Sequence, residues 1–208
     1  MMRVIEPKRL KLAVLASGRG SNFLALGEAI QTGKLHADIC LLISDQKEAQ
    51  ALNRARDLGI NALFINPSDF NNREEYEAEI VSNLKALDID LVVLAGYMRL
   101  VGKVMLDAFK LRIVNIHPAL LPSFAGLHAQ RQAVDYGVKF SGCTVHFVDA
   151  GMDSGPIIMQ AVVPVLANDT EEVLAERILT EEHRIYCQAL QLLAEGRIYV
   201  EGRIVHIN

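Results

Sequence analysis

Near-continuous apolar runs of strand length alternate with segments of helical period. That alternation limits the possible folds more than any other feature of the chain. Residues 10–16 (LKLAVLA) read as a strand buried on both faces. A glycine- and serine-rich stretch follows, then Phe23, Leu26 and Ile30 at helical spacing. Ala37–Ser44 (ADICLLIS) reads as a second strand, and Ala49, Leu52, Ala55 and Arg56 fit a helix that stops at Gly59. Residues 61–65 make a short third strand closed by Pro67, and Tyr76, Ile80, Leu84 and Leu87 share one face of a long helix. Residues 90–95 and 113–116 are the fourth and fifth strands. Strands separated by helices imply right-handed crossovers. The expectation is an α/β fold built on a mostly parallel, Rossmann-like twisted sheet with helices on both faces.

The C-terminal third adds antiparallel pieces. Residues 143–148 alternate, residues 157–165 are an apolar strand, and the turn-rich DAGMDSGP lies between them. A long helix from about residue 170 to 193 has Asn168, Asp169 or Thr170 as N-cap candidates. The tail, RIYVEGRIVHI, suits a hairpin turning at Glu201 and Gly202. Without a repeat or linker, residues 1–208 are expected to form a single domain with halves at 10–110 and 111–208.

Charge and cysteine content exclude several functions. With 21 basic against 25 acidic residues, the formal charge of −4 offers no basic excess for a nucleic-acid backbone. No apolar run approaches the roughly 20 residues of a membrane span. Cys40, Cys143 and Cys187 are odd in number and far apart, which suits inert thiols in a reducing compartment. The first eleven residues carry Arg3, Lys8, Arg9 and Lys11 but run into a strand rather than a cleavage site. They read as a short ragged extension on a cytoplasmic protein.

In parallel sheets ligands gather beyond the carboxyl ends of the strands, which singles out three segments. Ser17-Gly18-Arg19-Gly20-Ser21-Asn22 follows the first strand and opens a helix. Backbone N–H groups there suit a monophosphate, and the fingerprints of dinucleotide and P-loop sites are missing. The competing reading is a plain turn capped by Ser21 or Asn22. Asn115-Ile116-His117-Pro118 places a carboxamide and an imidazole two residues apart, hence on one face of an extended strand. That pair suits acyl chemistry: the amide donates to a developing oxyanion and the imidazole moves a proton. Equally, both side chains could merely satisfy strand-end backbone groups. In the 149–156 loop, Asp153 could face an imidazole, or both aspartates could bond local N–H groups. A metal site from His117, His128 and His146 is disfavoured by spacing. His146 reads as a half-buried strand residue.

Taken together, ASGRGSN, LAGYMRL, NIHPALLPSFAGLHA and TVHFVDAGMDSGPII resemble, in order and across residues 10–200, the phosphoribosylglycinamide formyltransferases, folate-dependent enzymes of purine biosynthesis. The resemblance implies Asn115, His117 and Asp153 as the catalytic trio. It implies Gly20, Ser21 and Asn22 as the phosphate loop and Glu182 as a ribose contact. For the folate it implies Arg73, Met98, Arg99, Leu100 and Val101, together with Asn115 and the loop of Asp149, Ala150, Gly151, Met152 and Asp153. On this view residues 10–110 bind the mononucleotide and residues 111–208 the folate. Leu179 stands where related chains can have a polar residue, Ala119 replaces a serine, and Ala125 replaces a proline.

The implied reaction moves a formyl group from 10-formyltetrahydrofolate, a co-substrate, to the amine of glycinamide ribonucleotide, with no metal. The implied partners are those two small molecules, without nucleic acid or membrane, in a monomer or homodimer. A formyltetrahydrofolate hydrolase would carry an N-terminal regulatory domain, for which the nine residues before the first strand leave no room. A methionyl-tRNA formyltransferase would add a C-terminal RNA-binding domain. A non-catalytic sensor of a phosphorylated metabolite would keep the glycine loop without needing the trio.

Overall fold

The computed structural model describes residues 2–208. In chain order the elements are β1 (Met2–Arg3), β2 (Leu10–Leu15), α1 (Ser21–Gln31), β3 (Ala37–Ser44), α2 (Gln50–Asp57) and β4 (Ala62–Phe64). A 3₁₀ turn (Pro67–Asp69) precedes α3 (Arg73–Ala86), β5 (Leu91–Leu94), α4 (Lys103–Ala108) and β6 (Ile113–His117). Then come α5 (Ala129–Tyr136), β7 (Phe140–Phe147), β8 (Ile157–Pro164), α6 (Glu171–Ala194), β9 (Ile198–Glu201) and β10 (Ile204–Ile207).

The main sheet has seven strands in the order β4-β3-β2-β5-β6-β7-β8, parallel through β6 and antiparallel at β7 and β8. Alternation along β2 explains the two-sided core. Leu12 and Val14 face one apolar cluster with Phe23 and Leu26 of α1, Leu52 of α2 and Ile178 and Ile185 of α6. Ala13 and Leu15 face the other, with Tyr76, Ile80 and Leu84 of α3 and Met105 of α4. The chain winds outward from β2 to β3 and β4, then returns to β5 on the other side of β2. Between β2 and β5 the strand order therefore reverses, the position where open α/β sheets leave a crevice for ligands.

Three local expectations need correction. The N-terminal residues are not a ragged extension: β1 pairs antiparallel with β9, completing a small sheet β1-β9-β10. The hairpin turns one residue later than expected, at Gly202 and Arg203, because Ile204 pairs with Glu201. Neither Ser21 nor Asn22 caps α1; the cap is Gly20 in the left-handed region, with no side-chain capping bond. At the start of α6, Thr170 is the cap among the three candidates, its side chain accepting from the Val173 N–H. No helix among the described residues is long and apolar enough to cross a membrane.

Candidate active site

Strand β6 ends on His117, so Asn115 and His117 project from the same face while Val114 and Ile116 enter the core beneath. The antiparallel register of β7 sets His146 opposite Asn115 and Thr144 opposite His117. Thr144 then pins the chain beyond the strand: its hydroxyl donates to the Ala119 carbonyl (2.7 Å) and accepts from the Leu121 N–H (3.1 Å). The turn that follows brings Phe124 back, and its carbonyl accepts from His117 Nε2 at 2.8 Å.

Asp153 arrives from the loop between β7 and β8. Its Oδ2 lies 3.3 Å from His117 Nδ1 and accepts from the Gly126 N–H at 2.8 Å. The loop thereby divides its two aspartates. Asp149 makes local bonds to the Gly151 N–H (3.1 Å) and the Ser154 hydroxyl (2.6 Å), whereas Asp153 reaches the imidazole. Asp153 holds φ +50°, a conformation that Asp and Asn tolerate better than most residues.

His146, expected from the sequence to be a half-buried strand residue, differs in the structure. It is buried, and its Nδ1 lies 2.9 Å from the Phe147 carbonyl. A carbonyl only accepts, so Nδ1 carries the proton and Nε2 is left as an acceptor for Asn115 Nδ2 at 3.2 Å. Burial lowers the His146 pKa and keeps the ring neutral, while the Phe147 carbonyl opposes that shift. The 3.7 Å between Nε2 and Asp153 Oδ1 is then a meeting of two acceptors rather than an ion pair. His146 thus fixes the Asn115 amide and leaves its second Nδ2 hydrogen free for another acceptor. His128 lies apart, with Nδ1 3.9 Å from Glu171 Oε1, so the three histidines do not converge.

Gly20 has φ +74°, and a Cβ there would fall 2.8 Å from the Ala51 Cβ, so its lack of a side chain serves the approach of the loop to α2. Asn22 is buried; its Nδ2 donates to Glu182 Oε2 at 2.8 Å, and its Oδ1 meets no partner. Burial pushes the Glu182 carboxyl up and the Asn22 hydrogen bond opposes this. Glu182 Oε2 therefore accepts from Asn22, and Oε1 is open to a further donor. Across the crevice, Met98 and Leu100 are exposed while Val101 is buried. Arg73 supports this segment by donating to the Leu100 carbonyl and pairing with Glu77, and Arg99 sits over the Tyr76 ring. A cavity of about 360 Å³ beside Phe124, Tyr136 and Phe140 includes none of the trio in its lining.

The formyl transferase profile matches residues 10–190. The chain belongs to the formyl transferase family. As such it is similar to a crystal structure of glycinamide ribonucleotide transformylase 1 from Symbiobacterium toebii, with 52% identity and a TM-score of 0.94 over 96% of this chain and 94% of that one. It is 39% identical to the phosphoribosylglycinamide formyltransferase of Escherichia coli, over 91% of this chain and 89% of that protein. Similarity to the trifunctional purine biosynthetic protein adenosine-3 of Drosophila melanogaster is 44% over 97% of this chain, which spans 15% of that longer protein. The α/β fold of the family is the one described above.

Proposed function

We propose that this formyl transferase moves the formyl group of 10-formyltetrahydrofolate to the amine of N1-(5-phospho-D-ribosyl)glycinamide, giving the formylated ribonucleotide and tetrahydrofolate in purine biosynthesis. The observation that carries the reading is the meeting of Asn115, His117 and Asp153 at the end of β6, with His117 Nδ1 3.3 Å from Asp153 Oδ2. The names of the relatives above support the substrate pair.

In this reading the phosphate sits at the N-terminus of α1, on Gly20, Ser21 and Asn22, where unpaired N–H groups and the helix dipole favour an anion. Glu182 orients Asn22 and offers its remaining oxygen to the ribose. The folate lies against Met98, Arg99, Leu100 and Val101, braced by Arg73, and under the loop of Asp149, Ala150, Gly151, Met152 and Asp153. The exposed apolar side chains of Met98, Leu100 and Met152 suit a flat heterocycle.

The amine nitrogen attacks the formyl carbon, and the carbonyl electron pair moves onto oxygen. Asn115 donates its free Nδ2 hydrogen to that oxyanion, and His117 donates once an N–H turns from the Phe124 carbonyl. A preorganised donor such as the Asn115 amide is worth about 3–4 kcal/mol. Asp153 stabilises the imidazolium and holds the ring. The amine loses a proton, the C–N bond to the folate breaks, and the departing folate nitrogen takes up a proton. The Asp153 carboxylate, the unprotonated member of the pair, holds that proton between the two events. All three residues come from one chain, so a monomer or a homodimer serves equally. Three free thiols suit the cytoplasm.

Purified protein is given both substrates, and free tetrahydrofolate and formylated ribonucleotide are quantified against a reaction lacking the ribonucleotide. Product formation that depends on the ribonucleotide is expected. Folate deformylation at the same rate in its absence would make the chain a hydrolase instead.

A further inference from the structure

Two loops flank the switch point: residues 17–22 after β2 and residues 95–102 after β5. Ser17 connects them. Its N–H donates to the Gly96 carbonyl at 3.0 Å, and its Oγ accepts from the Met98 N–H at 2.9 Å. An oxygen that accepts from an amide still has its own hydrogen to place. Asp45, at the carboxyl end of β3, takes it: Ser17 Oγ donates to Asp45 Oδ1 at 2.6 Å. Asp45 is 5% exposed, and its other oxygen accepts from Gln46 Nε2 at 3.1 Å. One hydroxyl therefore joins the ends of three strands, β3, β2 and β5, with its donor and acceptor roles both fixed.

We propose that Ser17, oriented by Asp45, is a positioning residue that locks the folate-binding segment to the ribonucleotide loop across the switch point. The inference rests on the substrate placement given above. Ser17 stands three residues before Gly20, and its acceptor bond holds the backbone of Met98, the first residue of the segment assigned to the folate. The Ser17 side chain touches neither substrate in this reading. It sets the separation between the surfaces that hold the two, and so the approach of amine to formyl carbon. Backbone pairing between the two loops runs through the Ala95 N–H to the Leu15 carbonyl (2.9 Å) and ends with the Ser17 N–H to the Gly96 carbonyl, so the Met98 N–H depends on the Ser17 hydroxyl for its partner. The hydroxyl is oriented only while Asp45 accepts from it. An asparagine at position 45 retains an accepting oxygen, which makes it the conservative control.

The test compares Ser17→Ala and Asp45→Asn with wild type in two measurements. First, amide hydrogen exchange of Met98 is followed by NMR in the free protein. Ser17→Ala should accelerate it at least tenfold while core amides such as Val93 stay protected; Asp45→Asn should remain near wild type. Second, Ser17→Ala should raise KM for the formyl-folate roughly tenfold, the scale of one lost hydrogen bond, with kcat at saturation changed less than about threefold. Unchanged Met98 exchange in Ser17→Ala overturns the lock whatever the enzyme catalyses. Faster exchange with an unmoved KM overturns its role in positioning the folate, and loss of protection throughout the core overturns it in favour of plain structural support. A wild-type protein that forms no formylated ribonucleotide sinks the substrate assignment instead, and the exchange result still judges the lock.

Discussion

Replacing Asp153 by Asn removes one charge and little else. Asn tolerates the φ of +50° found at this position, and its oxygen can still accept from the Gly126 N–H. Its amide nitrogen would take the place of Oδ1, 3.7 Å from His146 Nε2, which already accepts from Asn115. What disappears is the anion 3.3 Å from His117 Nδ1. At an effective dielectric of about 20, a unit pair at that distance attracts by roughly 5 kcal/mol. Part of this is offset because both groups leave water, and an amide recovers a neutral hydrogen bond to the ring. A net loss of about 3–4 kcal/mol in the transition state remains, which is roughly 10²–10³ in kcat at 1.36 kcal/mol per decade. The ribonucleotide loop is built from other elements, so its KM should stay within about threefold. Steady-state kinetics with both substrates varied, together with a melting curve to verify the fold, measures this. A variant with wild-type kcat, or one whose loss lies wholly in KM, would remove Asp153 from the chemistry.

Two more outcomes follow from buried polar groups. Asn22→Ala leaves the Glu182 carboxyl without its donor, so the protein should lose about 1–3 kcal/mol of stability and ribonucleotide binding should weaken in calorimetry; intact affinity would detach the loop from the phosphate. His146 is held neutral by burial, its folded pKa lying below the unfolded 6.5. The unfolded chain therefore takes up a proton first as pH falls, and stability present above about pH 6.5 declines below it, at no more than about 1.4 kcal/mol per pH unit. Glu182 is shifted upward and acts in the opposite sense, losing stability as pH rises from 4.5. Urea midpoints of wild type and His146→Gln compared across pH 5–7.5 isolate the histidine; identical slopes would refute its buried neutral state.

How much of this was legible depends on what held each element in place. β3 runs from Ala37 to Ser44 as read, because its apolar stretch from Ile39 to Ile43, buried from Leu41 onward, is bounded by turn residues. α4 was missed: only Met105 of its six residues is buried, so no periodicity marks it. β1 was missed for a different reason. Met2 and Arg3 are exposed, and what orders them is the backbone of β9, almost two hundred residues away. Pairing through main-chain groups leaves no mark on the side chains of the strand that is added.

The site divides along the same line. Asn115 and His117 were legible because their relation is local: two residues apart on one strand means one face. The loop glycine at position 20 was visible too, but its reason was not, since the Cβ it avoids belongs to Ala51 on α2. His146 sits 31 residues from Asn115, and only the antiparallel register of β6 and β7 brings them together. Alternation along β7 held a partial signal. Cys143, Val145 and Phe147 enter the core, so Thr144 and His146 must share the opposite face. A buried imidazole on that face, in a strand abutting the end of β6, has to find a partner for each nitrogen. Phe147 supplies one and Asn115 the other. The carboxamide proposed to meet the oxyanion is therefore aimed by a residue whose own tautomer is set by a backbone carbonyl, and the ordering of this site extends from side chain to side chain back into the sheet.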